Sequence, residues 1–87
     1  MRNGLQTKHE CKIEIIIGIL AETLEGKSDK YLMDKLGLSY ETLLHCLNFL
    51  LRNGLIVSET LSERKIYKTT EKGKKFLGGC ERIKEII

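Results

Sequence analysis

Five side chains hold whatever nucleophilic, redox or metal chemistry this sequence has: Cys11, Cys46, Cys80, His9 and His45. Thiolates and neutral imidazoles are good zinc ligands, and paired thiols exchange electrons. The three cysteines are odd in number and separated by 35 and 34 positions, so neither a disulfide framework nor a CxxC metal or redox motif is present. His9, Cys11 and Cys80 could meet where a first and a last helix pack, as a zinc- or redox-responsive set. Against that stands the ordinary use of a free cysteine as a small buried hydrophobe. No metal and no cofactor is expected. There is no Gly-rich phosphate loop and no Ser/His/Asp set that one fold would gather, so the expectation is a protein that is not an enzyme.

The other chemistry is ionic. The net charge of +3 is not spread evenly. From Met1 to Glu63 there are seven Lys or Arg against nine Asp or Glu, whereas Arg64, Lys65, Lys68, Lys72, Lys74 and Lys75 face only Glu71 in the next twelve residues. A basic block of this kind suits a polyanion, although a solvated lysine-rich face has the same composition.

The 87 residues bound what can be built around these groups. They make one domain with a small core, which leaves little wall for an enclosed catalytic pocket and favours a binding module. The longest apolar run, Ile15 to Ala21, is far shorter than a membrane span, and no export or lipid signal is legible, so a reducing cytoplasm is the expected location.

Periodicity predicts the positioning elements. Thr7-Lys8-His9-Glu10 has the form of a capping box, so a helix is expected from there to about Glu25, stopped by Gly26. Its apolar residues fall in two stripes: Ile13, Ile16, Ile17, Leu20 and Leu24 toward the core, and Cys11, Ile15 and Ile19 left over. Ser28 caps a short helix, Asp29 to Leu36, with Leu32, Met33 and Leu36 inward. Gly37 ends it, and Ser39 caps a third helix, Tyr40 to Asn53, whose Leu43, Cys46, Leu47 and Leu50 face the core. Beyond Gly54 the period becomes two: Leu55 to Thr60 and Lys65 to Thr69 read as a β-hairpin around Leu61-Ser62-Glu63, whose turn type is not readable. Thr70 caps a last helix, Glu71 to Ile87, in which Phe76, Cys80, Ile83 and Ile87 are spaced like a coiled-coil seam and Gly78-Gly79 is a weak point.

The segment KLGLSYETLLHCLNFLLRNGLI resembles the core of winged helix-turn-helix domains, with Leu36, Leu38, Leu43, Leu47, Leu50, Gly54 and Leu55 at their recurrent apolar and Gly positions. IYKTTEKGKKFL resembles the second wing strand and the start of the final helix. More narrowly, Leu38-Ser39-Tyr40, the Leu-Leu-x-x-Gly-Leu-Ile at 50–56 and Thr70-Glu71-Lys72-Gly73 are similar to the ArnR-like archaeal winged-helix family and its dimeric chromatin-protein relatives. The resemblance spans residues 12–82. It implies an α+β, mainly α, fold: a three-helix core, a two-stranded wing and a C-terminal helix. Residues 1–6 would be a flexible arm, 7–70 the winged domain and 71–87 a dimerisation helix packed on it.

The function so implied is a homodimeric DNA-binding transcriptional regulator with helix 39–53 in the major groove and wing 58–68 on the phosphates. Ser39, Tyr40, Thr42, His45 and Asn48 are then the candidate readers, and Arg64, Lys65 and Lys68 on the wing the phosphate contacts, with Arg52, Lys30 and Lys35 as secondary ones. Glu41 and Leu44 on the same helix argue against a strong sequence reader. Glu41 repels phosphate, accepts from a cytosine amino group, or serves the helix dipole. Cys11, Ile15 and Ile19, with Phe76, Cys80, Ile83 and Ile87, are the expected dimer interface. A protein-interaction module and a sequence-independent chromatin-type binder are the alternatives. No membrane partner and no small-molecule effector is legible.

Overall fold

The computed structural model describes residues 11–86, with side chains as far as Gly79. The expected arm, the Thr7–Glu10 capping box and His9 lie outside the described residues, as do the side chains of Cys80, Ile83 and Ile87. Helix α1 is Ile13–Glu22, shorter at both ends than periodicity predicts. Cys11 and Lys12 are not helical. The carbonyl of Lys12 takes the first amides, from Ile15 and Ile16 at 3.0 Å each.

The early stop at the other end has a cause in tertiary structure. Thr23, fully buried, donates its hydroxyl to the Ile19 carbonyl at 2.7 Å, and its own carbonyl accepts the amide of Thr69 at 2.9 Å. A carbonyl engaged by a distant strand turns the chain out of the helix. The Thr69 hydroxyl lies 2.8 Å from both the Leu20 carbonyl and the Thr23 hydroxyl. Two hydroxyl protons therefore serve three oxygen contacts, and only two of these are hydrogen bonds at a time.

The faces of α1 also differ from the expected stripes. Ile16, Ile19, Leu20 and Thr23 are buried, with Ile15 and Ile17 packed beside them, while Ile13 and Leu24 are exposed. Ile19, expected in the outward stripe, is 0% exposed and belongs to this chain's own core. The reason is a rotation of the buried arc toward Ile19: α1 is overlain by α4 as well as by α2 and α3, so the arc it must bury is wider and shifted.

A two-residue strand follows, β1 at Lys27–Ser28, which periodicity cannot detect. Helix α2 is Asp29–Leu36, and the Ser28 hydroxyl accepts the Tyr31 amide at 3.2 Å as its cap. Gly37 closes it at φ 65°, a left-handed conformation that glycine adopts without penalty. Helix α3 is Tyr40–Arg52, with Leu43, Cys46, Leu47 and Leu50 buried as their spacing predicts. Strands β2 (Ile56–Leu61) and β3 (Arg64–Thr69) form the wing. The sheet is antiparallel with order β1-β3-β2, so β3 is central, Lys27 opposing Tyr67 and Ile56 opposing Thr69.

Helix α4, Glu71–Ile86, returns across α1. Thr70 ties it to the rest: its hydroxyl donates to the Gly54 carbonyl at 2.7 Å and accepts the Gly73 amide at 3.0 Å, while its amide donates to Leu55 at 3.0 Å. Gly73 is buried against the Leu55 carbonyl, and a Cβ there would also come within 2.6 Å of the Thr69 methyl. Nothing among the described residues lies within 4 Å of a Cβ at Gly79. Gly73→Ala is therefore expected to lower unfolding free energy by about 2 kcal/mol or more, and Gly79→Ala to raise it by up to about 1 kcal/mol. Urea denaturation of both variants checks the opposite signs.

Candidate nucleic-acid interface

The turn between α2 and α3 fixes how α3 is presented. Ser39 caps α3 by accepting the Thr42 amide at 3.2 Å, and donates to the Thr42 hydroxyl at 3.0 Å. These two candidate readers are thus engaged with each other at the helix start. Thr42 retains its own proton for an outside acceptor. Around α3, Glu41, Leu44, His45, Asn48 and Arg52 recur at three- and four-residue intervals on the exposed side, opposite the buried Leu43, Leu47 and Leu50. Tyr40 leads this face at 50% exposed, so its ring does not plug the core. Leu44 is 37% exposed, an apolar patch within an otherwise polar stripe. Asn48, Leu51 and Arg52 line an open hollow toward the end of the helix.

The wing carries its cations on both faces. Alternation along β3 places Arg64 and Lys68 on one side and Lys65 on the other with buried Tyr67 and Thr69. All three cations are exposed. The Lys65 ammonium stands 6.0 Å from the Tyr67 ring centre. β1 matters here: by pairing with β3 it brings the start of α2 alongside the outer half of the wing, and Ser28, Asp29, Lys30, Arg64 and Lys65 line one cleft. Sequence reasoning counted Lys30 and the wing cations separately. The only local signal that could have joined them is the Lys27-Ser28 pair after Gly26, too short to show a period.

The wing tip is a two-residue turn, Ser62-Glu63, between the paired Leu61 and Arg64. Both turn residues have positive φ, 50° and 69°. This is the sign pattern of a type I′ hairpin, normally supplied by Asn-Gly, and non-glycine residues there cost about 1–2 kcal/mol each. Leu61 belongs to the strand rather than to the loop and is 56% exposed at the tip. Lys72, Lys74 and Lys75 are exposed on the first turns of α4, and Lys74 pairs with Glu71 at 3.3 Å.

The cysteines correct the expectation that no disulfide is present. Cys11 and Cys46 are disulfide-linked, their Cα atoms 5.5 Å apart. Nothing in a separation of 35 residues encodes this; it arises because Cys11, just ahead of the Lys12 cap of α1, lies against α3 at Cys46. Cys11 is thereby paired with Cys46 rather than directed to His9 or Cys80. Among the described residues no group of three His, Cys, Asp or Glu is gathered as a metal site. No helix among them is long and apolar enough to cross a membrane. In the expected dimer set, Ile15 is half-buried against the core and Phe76 is exposed, whereas Leu77 takes the buried place on α4.

A tri-helical core with a capped helix-turn-helix, a wing and a returning helix is the winged helix-turn-helix architecture. The family model for the winged helix-turn-helix matches residues 11–87, and the chain belongs to that family. Among solved structures, the transcriptional regulator BldR from Sulfolobus solfataricus superposes with a TM-score of 0.79 at 21% identity, over 95% of this chain and 63% of BldR. The chain thus spans less than two thirds of BldR. Sso10a-2, a DNA-binding protein from the same organism, gives 0.72 at 25% identity over 86% of this chain and 80% of its own. A reduced form of the Bacillus subtilis transcriptional regulator YodB gives 0.73 at 21% over 94% and 82%. No curated protein matches the chain in sequence.

Tyr67 links the wing to this face. Burial first, then the charges of Asp29 and Tyr40, raise its hydroxyl above the ordinary value of 10.0. The neutral phenol is the form the fold favours, so its contribution to stability is complete below about pH 10 and is lost as pH rises through the raised value. Replacing Tyr67 with Phe should flatten this alkaline limb. Denaturant midpoints of wild type and variant between pH 8 and about 11 measure the difference.

Proposed function

We propose that the protein is a DNA-binding transcriptional regulator that works as a homodimer, with the helix at 39–53 in the major groove and the wing at 58–68 on the phosphate backbone. The observation that carries this reading is the cleft between α2 and β3. It brings Lys30, Arg64 and Lys65 together, and Tyr40, His45, Asn48 and Arg52 are exposed on α3, which follows α2 through the Gly37 turn. Asp29 in that cleft and Tyr40 on α3 both act on the Tyr67 hydroxyl, so the cleft and the helix start share one neighbourhood. Cations beside an exposed helix face are what a duplex needs: phosphates held at the rim, base edges met at the centre.

In this reading Tyr40, Asn48 and His45 reach base edges, with Ser39 and Thr42 at the groove wall, while Arg52, Arg64, Lys65 and Lys68 neutralise phosphates. The resemblance to the ArnR-like archaeal branch supports the same assignment, as do the regulators among the structural neighbours. A regulator of this kind acts where the genome is, which is the cytoplasm in an archaeon. The second copy is held through α4, with exposed Phe76 and the positions of Cys80, Ile83 and Ile87, joined by Ile15; buried Ile19 and Cys11, which is bonded to Cys46 of its own chain, are not part of it. Exposed Leu44 and acidic Glu41 in the first turn of α3 favour one alternative, a chromatin-type binder that holds the backbone without reading sequence.

Titration of a labelled duplex from about 50 to 300 mM salt tests the assignment. Arg64→Ala, Lys65→Ala and Lys68→Ala are each expected to reduce the salt slope by about one unit, whatever the sequence. Asn48→Ala should cost about 1–3 kcal/mol at one base pair only. A uniform loss across sequences selects the chromatin-type reading, and no binding at low salt rejects DNA altogether. Sedimentation equilibrium should give the mass of two chains, falling to one in Phe76→Glu with Ile83→Glu.

A further inference from the structure

We propose that Cys11 and Cys46 form a reversible dithiol–disulfide site, a redox-operated staple between the lead-in to α1 and the helix that presents the polar face. Three observations carry it. The Cα separation of 5.5 Å lies inside the range a disulfide spans, so the fold accommodates the bond. The two partners are unequal: Cys46 is 0% exposed in the core of α3, whereas Cys11 is only half-buried. Cys11 also belongs to no helix; it precedes Lys12, the N-cap of α1. The bond therefore joins one fixed sulfur to one on a non-helical segment, and making or breaking it costs no helical hydrogen bond.

The asymmetry assigns the roles. An oxidant or reductant from solution meets Cys11, the more exposed of the two sulfurs, before it meets Cys46. With hydrogen peroxide as oxidant, the Cys11 thiolate attacks one peroxide oxygen, giving the sulfenic acid and releasing hydroxide. The Cys46 sulfur then attacks the Cys11 sulfur, the S–S bond forms, and the sulfenic oxygen leaves as water. Two thiols and one peroxide become one disulfide and two waters, a two-electron oxidation of the pair. A small dithiol reverses it: one thiolate attacks the accessible Cys11 sulfur, Cys46 leaves as the thiolate and takes a proton, and the reagent's second thiol then displaces Cys11 as it closes into its own disulfide. Closure encloses α1, β1 and α2 in a covalent loop and fixes the start of α1 on α3.

Thiol counting on the full chain tests the site. Fully reduced protein should show three thiols in denaturant and, after one equivalent of hydrogen peroxide, one, with the chain lighter by two hydrogens and still a single chain on a non-reducing gel. Peptide mapping should place the link between Cys11 and Cys46. The Cys80→Ser variant should close the same staple, and Cys11→Ser should not. Oxidation should raise Tm by on the order of 10 °C, and dithiothreitol added to the folded protein should return it. A link through Cys80, a disulfide between chains, or three thiols surviving peroxide overturns the proposal. So does a bond that dithiothreitol opens only after unfolding, which would mark a permanent staple.

Discussion

Everything that gives this small domain its shape passes through the contact between Thr23 and Thr69. α1 ends there because the Thr23 carbonyl is taken by the Thr69 amide, and β3 ends there because Thr69 turns inward to the last turn of α1. Three elements thus terminate or begin within a few residues of one buried pair of hydroxyls, since α4 starts two residues later. Burying hydroxyls in a core of isoleucine and leucine is unfavourable unless each finds a partner. Here the partners are carbonyls of the last turn of α1, those of Ile19 and Leu20, so neither hydroxyl is buried without an acceptor. Valine at Thr69 would keep the volume and take the hydroxyl donor from the Leu20 carbonyl, whereas valine at Thr23 would leave the Ile19 carbonyl its backbone partner, the Thr23 amide.

From that anchor the geometry of the exposed face follows in short steps. β3 is held at its base by Thr69, and being the central strand it holds β1 on one side and β2 on the other. β1 leads directly into α2, and α2 into α3 through the Gly37 turn. The basic cleft at the wing and the polar stripe on α3 are therefore not independent surfaces. Gly73 performs the matching task at the other side, letting α4 lie against the Leu55 backbone closely enough for Thr70 to reach Gly54.

Much of this was legible in the chain, and the division has physical reasons. α2 and α3 announce themselves because their stops and caps are local chemistry: Ser28, Gly37, Ser39 and the leucine spacing of α3 each act within a few residues. The family resemblance in Thr70-Glu71-Lys72-Gly73 also points to residues whose reason is now visible. α1 misled, because both its ends are set by partners far away in sequence, Thr69 for the stop and Cys46 beside the start. Its faces misled for a related cause: a helix covered on three sides buries an arc that a two-stripe reading divides wrongly, as Ile19 shows. β1 and the α2–β3 cleft were invisible, since two residues carry no periodicity. At the interface, the residue types were readable, but strand alternation was needed to see that Lys65 lies on the other face of the wing from Arg64 and Lys68.

The two non-glycine residues at the wing tip bear on how the wing can change. Ser62 and Glu63 keep a conformation that their side chains disfavour, while the Leu61–Arg64 pair on either side holds the tip closed. A hairpin closed in this way is under tension at its outermost point and secured at its base. Lengthening the tip by a residue or two would relieve the tension without disturbing Thr69, so wing length is the dimension in which this scaffold can vary most cheaply. The reach of the wing is then adjustable separately from the exposed polar face of α3.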